Sequence, residues 1–465
     1  MSVVRFSVSA MARTWQASYE CQDCGWSTVK WVGRCGGCGG WDKVEAVRRR
    51  DAVVVARAGL AVAGAQAIDQ IGSSEADAWS TGVGELDRVL GGGVVPGSVT
   101  LVGGEPGVGK STLLLDVAAR AVRQGRTVLY VTGEETARQV HLRAERIGAL
   151  VPGLKLAATG ELEQVLALAE REQPELLVLD SIQTLSSTTV DGVSGGVNHL
   201  RAVTAQLVRE AKYREMACLL VGHVTKDGSV AGPRTLEHLV DVVCLFEGDR
   251  HSSLRLLRAT KNRYGPSDEV GCFEMTAQGI TEVDDPSGLF VDLDGPRVAG
   301  SCLGVAMEGR RPVAVEVQAL VAPSTMANPR RTTSGLDAAR LTMILAVLAR
   351  RCGLSLAGQD VFASTVGGAR VSEPAFDLAL AMACASARFD LALAPGTVCL
   401  GEVSLGGQIR PVAALDRRLS ETARLGLTHV IAPPGSAATA LDLSLDIEEV
   451  SQLDQALRVL RPVVV

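Results

Sequence analysis

The sequence predicts an α/β core, a mostly parallel sheet with helices on both faces, flanked by a small N-terminal cysteine module and a separate C-terminal α+β domain. Three observations predict it. Short Val/Leu-rich runs alternate with helical stretches from about 79 to 280. Four cysteines lie within one short segment near the N-terminus. After the turn cluster at 284–288 the texture changes to two strand-like runs followed by long apolar helices.

In the core, the strand-like runs are 98–104, 127–135, 175–183, 217–224 and 241–248, and the helical stretches are 111–123, 136–147, 161–172 and 198–213. In the tail, strands are expected at 301–307 and 312–321, with helices at 337–350 and after Pro374. The expected division is an extension over 1–18, the cysteine module over 19–45, a linker over 46–78, the α/β core over 79–280 and the tail over 285–465.

Composition narrows the function. The 465 residues carry a net charge of −6, so any nucleic-acid contact needs a local basic face. No apolar run approaches the ~18 residues of a membrane span, and no secretion signal is evident, which points to the cytoplasm. Seven of the 11 cysteines sit singly in apolar segments and read as small buried hydrophobes of a reducing compartment.

The segment Gly104-Glu105-Pro106-Gly107-Val108-Gly109-Lys110-Ser111-Thr112 fits the phosphate-loop pattern and lies between a strand and a helix, as that pattern requires. Glycines let successive N–H groups turn toward phosphates, and the following helix terminus favours an anion. Lys110 is expected on the β- and γ-phosphates of ATP and Ser111 on Mg2+. Asp180, ending the run LLVLD, suits an Mg2+ or water contact, although an Asp-Ser pair also starts ordinary turns. Glu134 and Glu135 end another strand. One could polarise the attacking water, and we assign this to Glu134; both could equally be acids at a helix N-terminus.

Cys21 and Cys24, then Cys35 and Cys38, form two CxxC pairs, a set suited to tetrahedral Zn2+ with no open position. Such a site is structural. Trp26, Trp31 and Trp41 are available to pack over its small core, and its use would be contact with DNA or a partner.

The order of these motifs, with GEPGVGKST, LLVLDSIQT and Lys261-Asn262-Arg263-Tyr264-Gly265, resembles the RadA/Sms family of bacterial recombination and repair proteins from about residue 11 onward. Tyr264 stands where the family usually has Phe. The resemblance implies a zinc ribbon-like module, a RecA-like core and a Lon-protease-like tail. It also implies a hexameric ring that moves along single-stranded DNA with ATP and extends branched intermediates made with the RecA recombinase. On this pattern Lys261 and Arg263 reach the ATP of the neighbouring subunit, although taken alone they are a basic turn at a strand end. His223 would sense the γ-phosphate, and Lys226 and Arg234 in the following loop would contact DNA phosphates, with a second loop at 188–197; otherwise these are mobile surface loops. A non-motor ATP switch is the alternative.

The tail's resemblance to Lon breaks at the chemistry. Ala375 stands at the position of the Lon serine and Asp416 at that of the lysine, so no Ser–Lys peptidase is expected. Arg310, Arg311, Arg330, Arg331 and Arg370 are candidates for a basic face on this domain, or are scattered solvated residues.

Overall fold

The computed structural model describes residues 18–47 apart from 23–25 and 29, 78–292 apart from 191–195, 224–235 and 249–252, and 298–462. The chain separates into two compact units, Met1–Gly72 and Ser73–Val465.

In the first unit, β1 (Ser18–Cys21) lies between β2 (Ser27–Thr28) and β3 (Val44–Val47) in an antiparallel sheet. β3 continues two residues past the expected end of the module. Among the described residues the buried core is Cys21, Cys35 and Val44, with Tyr19, Trp26 and Val32 packed against it. So few apolar groups cannot hold a fold alone, which is where a metal contributes. The expectation that three tryptophans cover this core is corrected. Trp26 alone does so, while Trp31 and Trp41 are 60% and 69% exposed.

The second unit holds two large sheets and two small two-stranded ones. Its core elements run α1 (Gly84–Leu90), β4 (Val99–Gly104), α2 (Lys110–Arg123), β5 (Val128–Thr132), α3 (Ala137–Arg146), β6 (Lys155–Ala158), α4 (Leu162–Glu172), β7 (Leu176–Asp180), α5 (Val197–Tyr213), β8 (Ala217–His223), β9 (Val242–Gly248), β10 (Leu254–Asn262), β11 (Val270–Thr276) and β12 (Gly279–Glu282). The sheet order is β12-β11-β10-β9-β4-β8-β7-β5-β6, parallel from β9 to β6 and antiparallel from β9 to β12.

Alternation along the strands explains the layering. Val128, Tyr130, Leu176 and Val178 pack with α1, α2 and α3 on one face. Leu129, Val131, Leu177 and Leu179 pack with α4 and α5 on the other. Each fully buried Val or Leu contributes about 1.5–3 kcal/mol, so strands covered on both sides read as unbroken apolar runs. α3 begins with a capping box in which Thr136 accepts from the Gln139 N–H.

The tail contains β13 (Ser301–Glu308), β14 (Arg311–Pro323), β15 (Arg331–Ser334), α6 (Ala338–Arg351), β16 (Gln359–Thr365), α7 (Asp377–Phe389), β17 (Thr397–Cys399), α8 (Leu415–Arg424), β18 (His429–Ala432) and β19 (Asp446–Glu449). Its sheet order is β15-β16-β14-β13-β17-β18-β19. α6 and α7 cover one face and α8 the other.

The two large sheets meet at a charged seam. Arg311 pairs with Glu85 and donates to the Asp284 carbonyl at 2.6 Å, while Glu85 accepts from the Cys272 N–H at 2.8 Å. Arg258 pairs with Glu308, and Arg310 lies 3.6 Å from Glu269. The expected basic face is corrected accordingly. Arg310 and Arg311 serve this seam, and Arg331 donates to the carbonyls of Leu356 and Gln359 in its own domain.

Candidate functional site: the carboxyl edge of the central sheet

Register brings the motif residues together. Gly104 at the end of β4 lies opposite His223 of β8, and Thr132 of β5 lies opposite Asp180 of β7. The carboxyl ends of parallel strands are where such sheets bind ligands.

The phosphate loop is held by close approach. A Cβ at Gly104 would come 2.3 Å from the Phe246 carbonyl oxygen. Gly109 has φ +112°, and a Cβ there would meet Ile280 Cδ1 at 2.4 Å. Only glycine satisfies both positions. Lys110 is buried, and its Nζ donates to the carbonyls of Gly104 and Glu105, each at 2.9 Å. Burial pulls its ammonium below the usual lysine range, opposed by the carboxylates of Asp180 and Glu134. The first turn of α2 contains no acid and no side-chain cap, so its N–H groups face the loop unblocked. Val108 is buried, Glu105 and Pro106 are exposed, and Ser111 and Thr112 open the helix. This donor set fits a polyphosphate.

Asp180 is buried and accepts from the Tyr130 hydroxyl at 2.9 Å. Burial first, then Asp180 itself, push that hydroxyl well above its ordinary pKa, so it remains a donor. One Asp180 oxygen is thus oriented by Tyr130. Together with the Ser111 hydroxyl, this carboxylate suits Mg2+.

The two glutamates diverge. Glu134 accepts from the Ser181 hydroxyl and lies 3.0 Å from His223 Nε2. Glu135 pairs with Arg143 at 2.6 Å, and its N–H donates to Thr132. Glu134 therefore belongs to the nucleotide edge, and Glu135 holds α3 to the sheet. Among the described residues, His223 Nδ1 and Gln183 Oε1 are buried without a partner. Two unmet polar atoms beside the phosphate loop suit a ligand or water there. Tyr130, Ser181 and Gln183 were not singled out in the sequence. Ser181 directly follows Asp180 and Gln183 comes two residues later, both within the run LLVLDSIQT, which was the available signal.

Lys261 and Arg263 are elsewhere. β10 runs antiparallel to β9, so their end of the sheet is the one where β4 begins. At ~3.3 Å per residue, β4 alone separates that end from the phosphate loop by roughly 17 Å. Lys261 Nζ donates to the carbonyls of Glu237 and Val240, the latter at 2.7 Å, and Arg263 Nη1 donates to Asp241 at 3.0 Å. Asn262 donates to the carbonyls of Val89 and Leu90 at the end of α1. The segment is thus a fastened strand-end turn in its own subunit. Lys226 and Arg234 lie outside the described residues.

In the cysteine module the sulfurs of Cys21, Cys35 and Cys38 lie within 4.8 Å of one another, and Cys24 lies outside the described residues. The N–H groups of Gly37 and Cys38 point to Cys35 Sγ at 3.3 and 3.5 Å, the arrangement that supports a thiolate ligand. This donor set fits Zn2+.

In the tail, Ala375 is buried and Asp416 is exposed in the first turn of α8. Two residues before Ala375, Glu373 takes a two-pronged pair from the buried Arg418, at 2.9 and 2.6 Å, and Arg418 also donates to the Val305 carbonyl. These bonds fasten α8 to β13.

Comparison with known proteins gives the family. The AAA domain family matches residues 74–229, and the rubredoxin metal binding domain family matches residues 19–46. The chain is 47% identical to the DNA repair protein RadA of Mycolicibacterium smegmatis, over 97% of this chain and 98% of that protein. It is 50% identical to the Mycobacterium tuberculosis protein of the same name, over 90% and 88%. The Streptococcus pyogenes protein of that name is 44% identical, over 94% and 96%. With a phosphate loop, a thiolate cluster and such likeness along nearly the whole chain, the protein belongs to the RadA family of DNA repair proteins.

Proposed function

We propose that this chain is an ATP-driven motor on single-stranded DNA that processes branched recombination intermediates together with the RecA recombinase. The coarser part rests on family membership and the AAA domain: the chain is an ATPase with a role in DNA repair. The finer reading is our own.

One observation carries it. The nucleotide edge and the Lys261/Arg263 edge lie at opposite ends of the same sheet, so one subunit cannot apply both to one ATP. A closed ring, six-membered by family resemblance, lays the basic edge of each subunit against the phosphate edge of the next. A bound Mg2+ would withdraw charge from the phosphate oxygens. Lys110 neutralises the β- and γ-phosphates, and the loop N–H groups orient them. Glu134, held by Ser181 and His223, accepts the proton of the attacking water. Arg263 and Lys261 add positive charge from the neighbour. His223 lies on the phosphate side and leads directly into the segment carrying Lys226 and Arg234, a short route from γ-phosphate state to DNA grip. The zinc module is structural. The altered Ser–Lys positions leave the tail a scaffold or DNA platform.

The test is the ATPase rate of the full chain with and without single-stranded DNA, beside Lys110→Ala. Stimulation that vanishes in the variant is expected. A rate indifferent to DNA would overturn the motor and leave an ATP switch.

A further inference from the structure

The Lys261/Arg263 edge contains more charge than its own subunit uses. Asp241, between the segment preceding it and β9, is 1% exposed. One carboxylate oxygen accepts from the Val99 N–H at 3.1 Å, where β4 starts. The other accepts from Arg263 Nη1 at 3.0 Å and from Lys212 Nζ at 3.2 Å. Lys261 binds the carbonyl of Val240, the preceding residue. Three cations therefore surround one buried carboxylate. They repel one another: burial first, then Arg263, pull Lys261 below its usual pKa, and Lys212 adds to this.

A single buried carboxylate needs one good cationic partner. The side chains of Lys212 and Arg263 remain 49% and 52% exposed, where an extra ion pair contributes little to stability. Lys261 also feels the Glu237 carboxylate, so the three cations outnumber the carboxylates near them, and a surplus of positive charge close to solvent suits an anion. Arg263 offers Asp241 only Nη1, which leaves the rest of its fork to face outward.

We infer that Lys212 and Asp241 belong to the group that acts on the neighbouring subunit's ATP. Lys212 is a third cation for the triphosphate, and Asp241 is a positioning residue that aims Arg263. This rests on the trans reading above. Through its Val99 contact Asp241 ties the Arg263 guanidinium to the start of β4. Lys212, from the end of α5, brings its ammonium to the same oxygen. No bond is made or broken by either residue.

The experiment measures DNA-stimulated ATPase, KM for ATP and the unfolding midpoint for Lys212→Ala, Lys212→Arg and Asp241→Asn in the full chain. Each is also mixed with the Lys110→Ala chain. The trans reading is checked alone by mixing Arg263→Ala with Lys110→Ala, where recovered activity means that one subunit's basic edge serves the other's ATP. If that pair does not complement, the trans reading falls and this inference with it. If it complements, Lys212→Ala is expected to lower kcat about 10-fold with KM and midpoint little changed, and to regain activity in the Lys110→Ala mixture. Lys212→Arg should retain most of the rate. Asp241→Asn should lower kcat more than it raises KM. Parental activity in Lys212→Ala would overturn the inference while leaving the trans reading standing. A loss that follows a lowered midpoint and is not restored by Lys212→Arg would assign Lys212 and Asp241 to structure alone.

Discussion

The two ends of β4 are built on opposite charge logic. At the carboxyl end a buried lysine, Lys110, sits before two carboxylates, Asp180 and Glu134. At the amino end a buried carboxylate, Asp241, sits among cations. The first end is desolvated and contains buried polar atoms without partners. At the second the buried carboxylate is fully engaged, and the Lys212 and Arg263 cations stay near solvent. A site that must enclose a triphosphate is pre-shaped by close backbone packing, whereas one that must meet a neighbour stays exposed until the neighbour arrives. Neither end is complete alone.

Substitutions at the two ends should separate these roles. The largest effect is expected from Arg263→Ala, a loss on the order of 10³–10⁵ in kcat with nucleotide binding largely kept, read by ATPase kinetics beside equilibrium binding of a fluorescent ATP analogue. Equal loss of binding and turnover would mean that Arg263 works in its own subunit's architecture. Lys110→Ala should lower the rate roughly 10³-fold and weaken nucleotide binding itself, because the charge lies inside the loop. Glu134→Gln should cost about 10²–10⁴ in kcat at nearly unchanged KM. Glu135→Gln is its control, expected to lower the unfolding midpoint by weakening the Arg143 contact and to spare kcat. The reverse pattern would exchange the two glutamates. The smallest effect on the sheet should come from zinc chelation. Trp26 emission should shift as the cysteine module loses its fold, while the midpoint of the Ser73–Val465 unit stays fixed. A fall in both would show that the module supports the core.

Much of the core was legible because local and long-range signals agree there. The run 98–104 became β4, 175–183 contains β7 and 217–224 contains β8, each buried on both faces. β10, β11 and β12 were missed. They form the antiparallel side of the sheet, where burial is mixed along each strand and periodicity gives a weaker signal. β6 is short and largely exposed, with the same consequence. Of the site, Lys110 was singled out by the phosphate-loop pattern, Asp180 by its place at a strand end and His223 by the family resemblance, and the sheet brings their strand ends to one edge. Tyr130 was not, since an aromatic inside an apolar strand reads as core until its hydroxyl is seen on Asp180.

The sequence by itself determined a loop of phosphate-cradling pattern and thiols at zinc spacing, which follow from residue type and short spacing. The alanine and aspartate at the Lon serine and lysine positions are what the resemblance implies. Tertiary structure decided which of two adjacent glutamates faces the nucleotide edge. It drew Arg311 into the seam, and it set Lys261 and Arg263 a strand's length from their own subunit's phosphate loop. Each of those outcomes depends on partners far away in the chain, such as Glu134 with His223 and Arg311 with Glu85. Strand order brings them together, and strand order is an outcome of packing the whole chain.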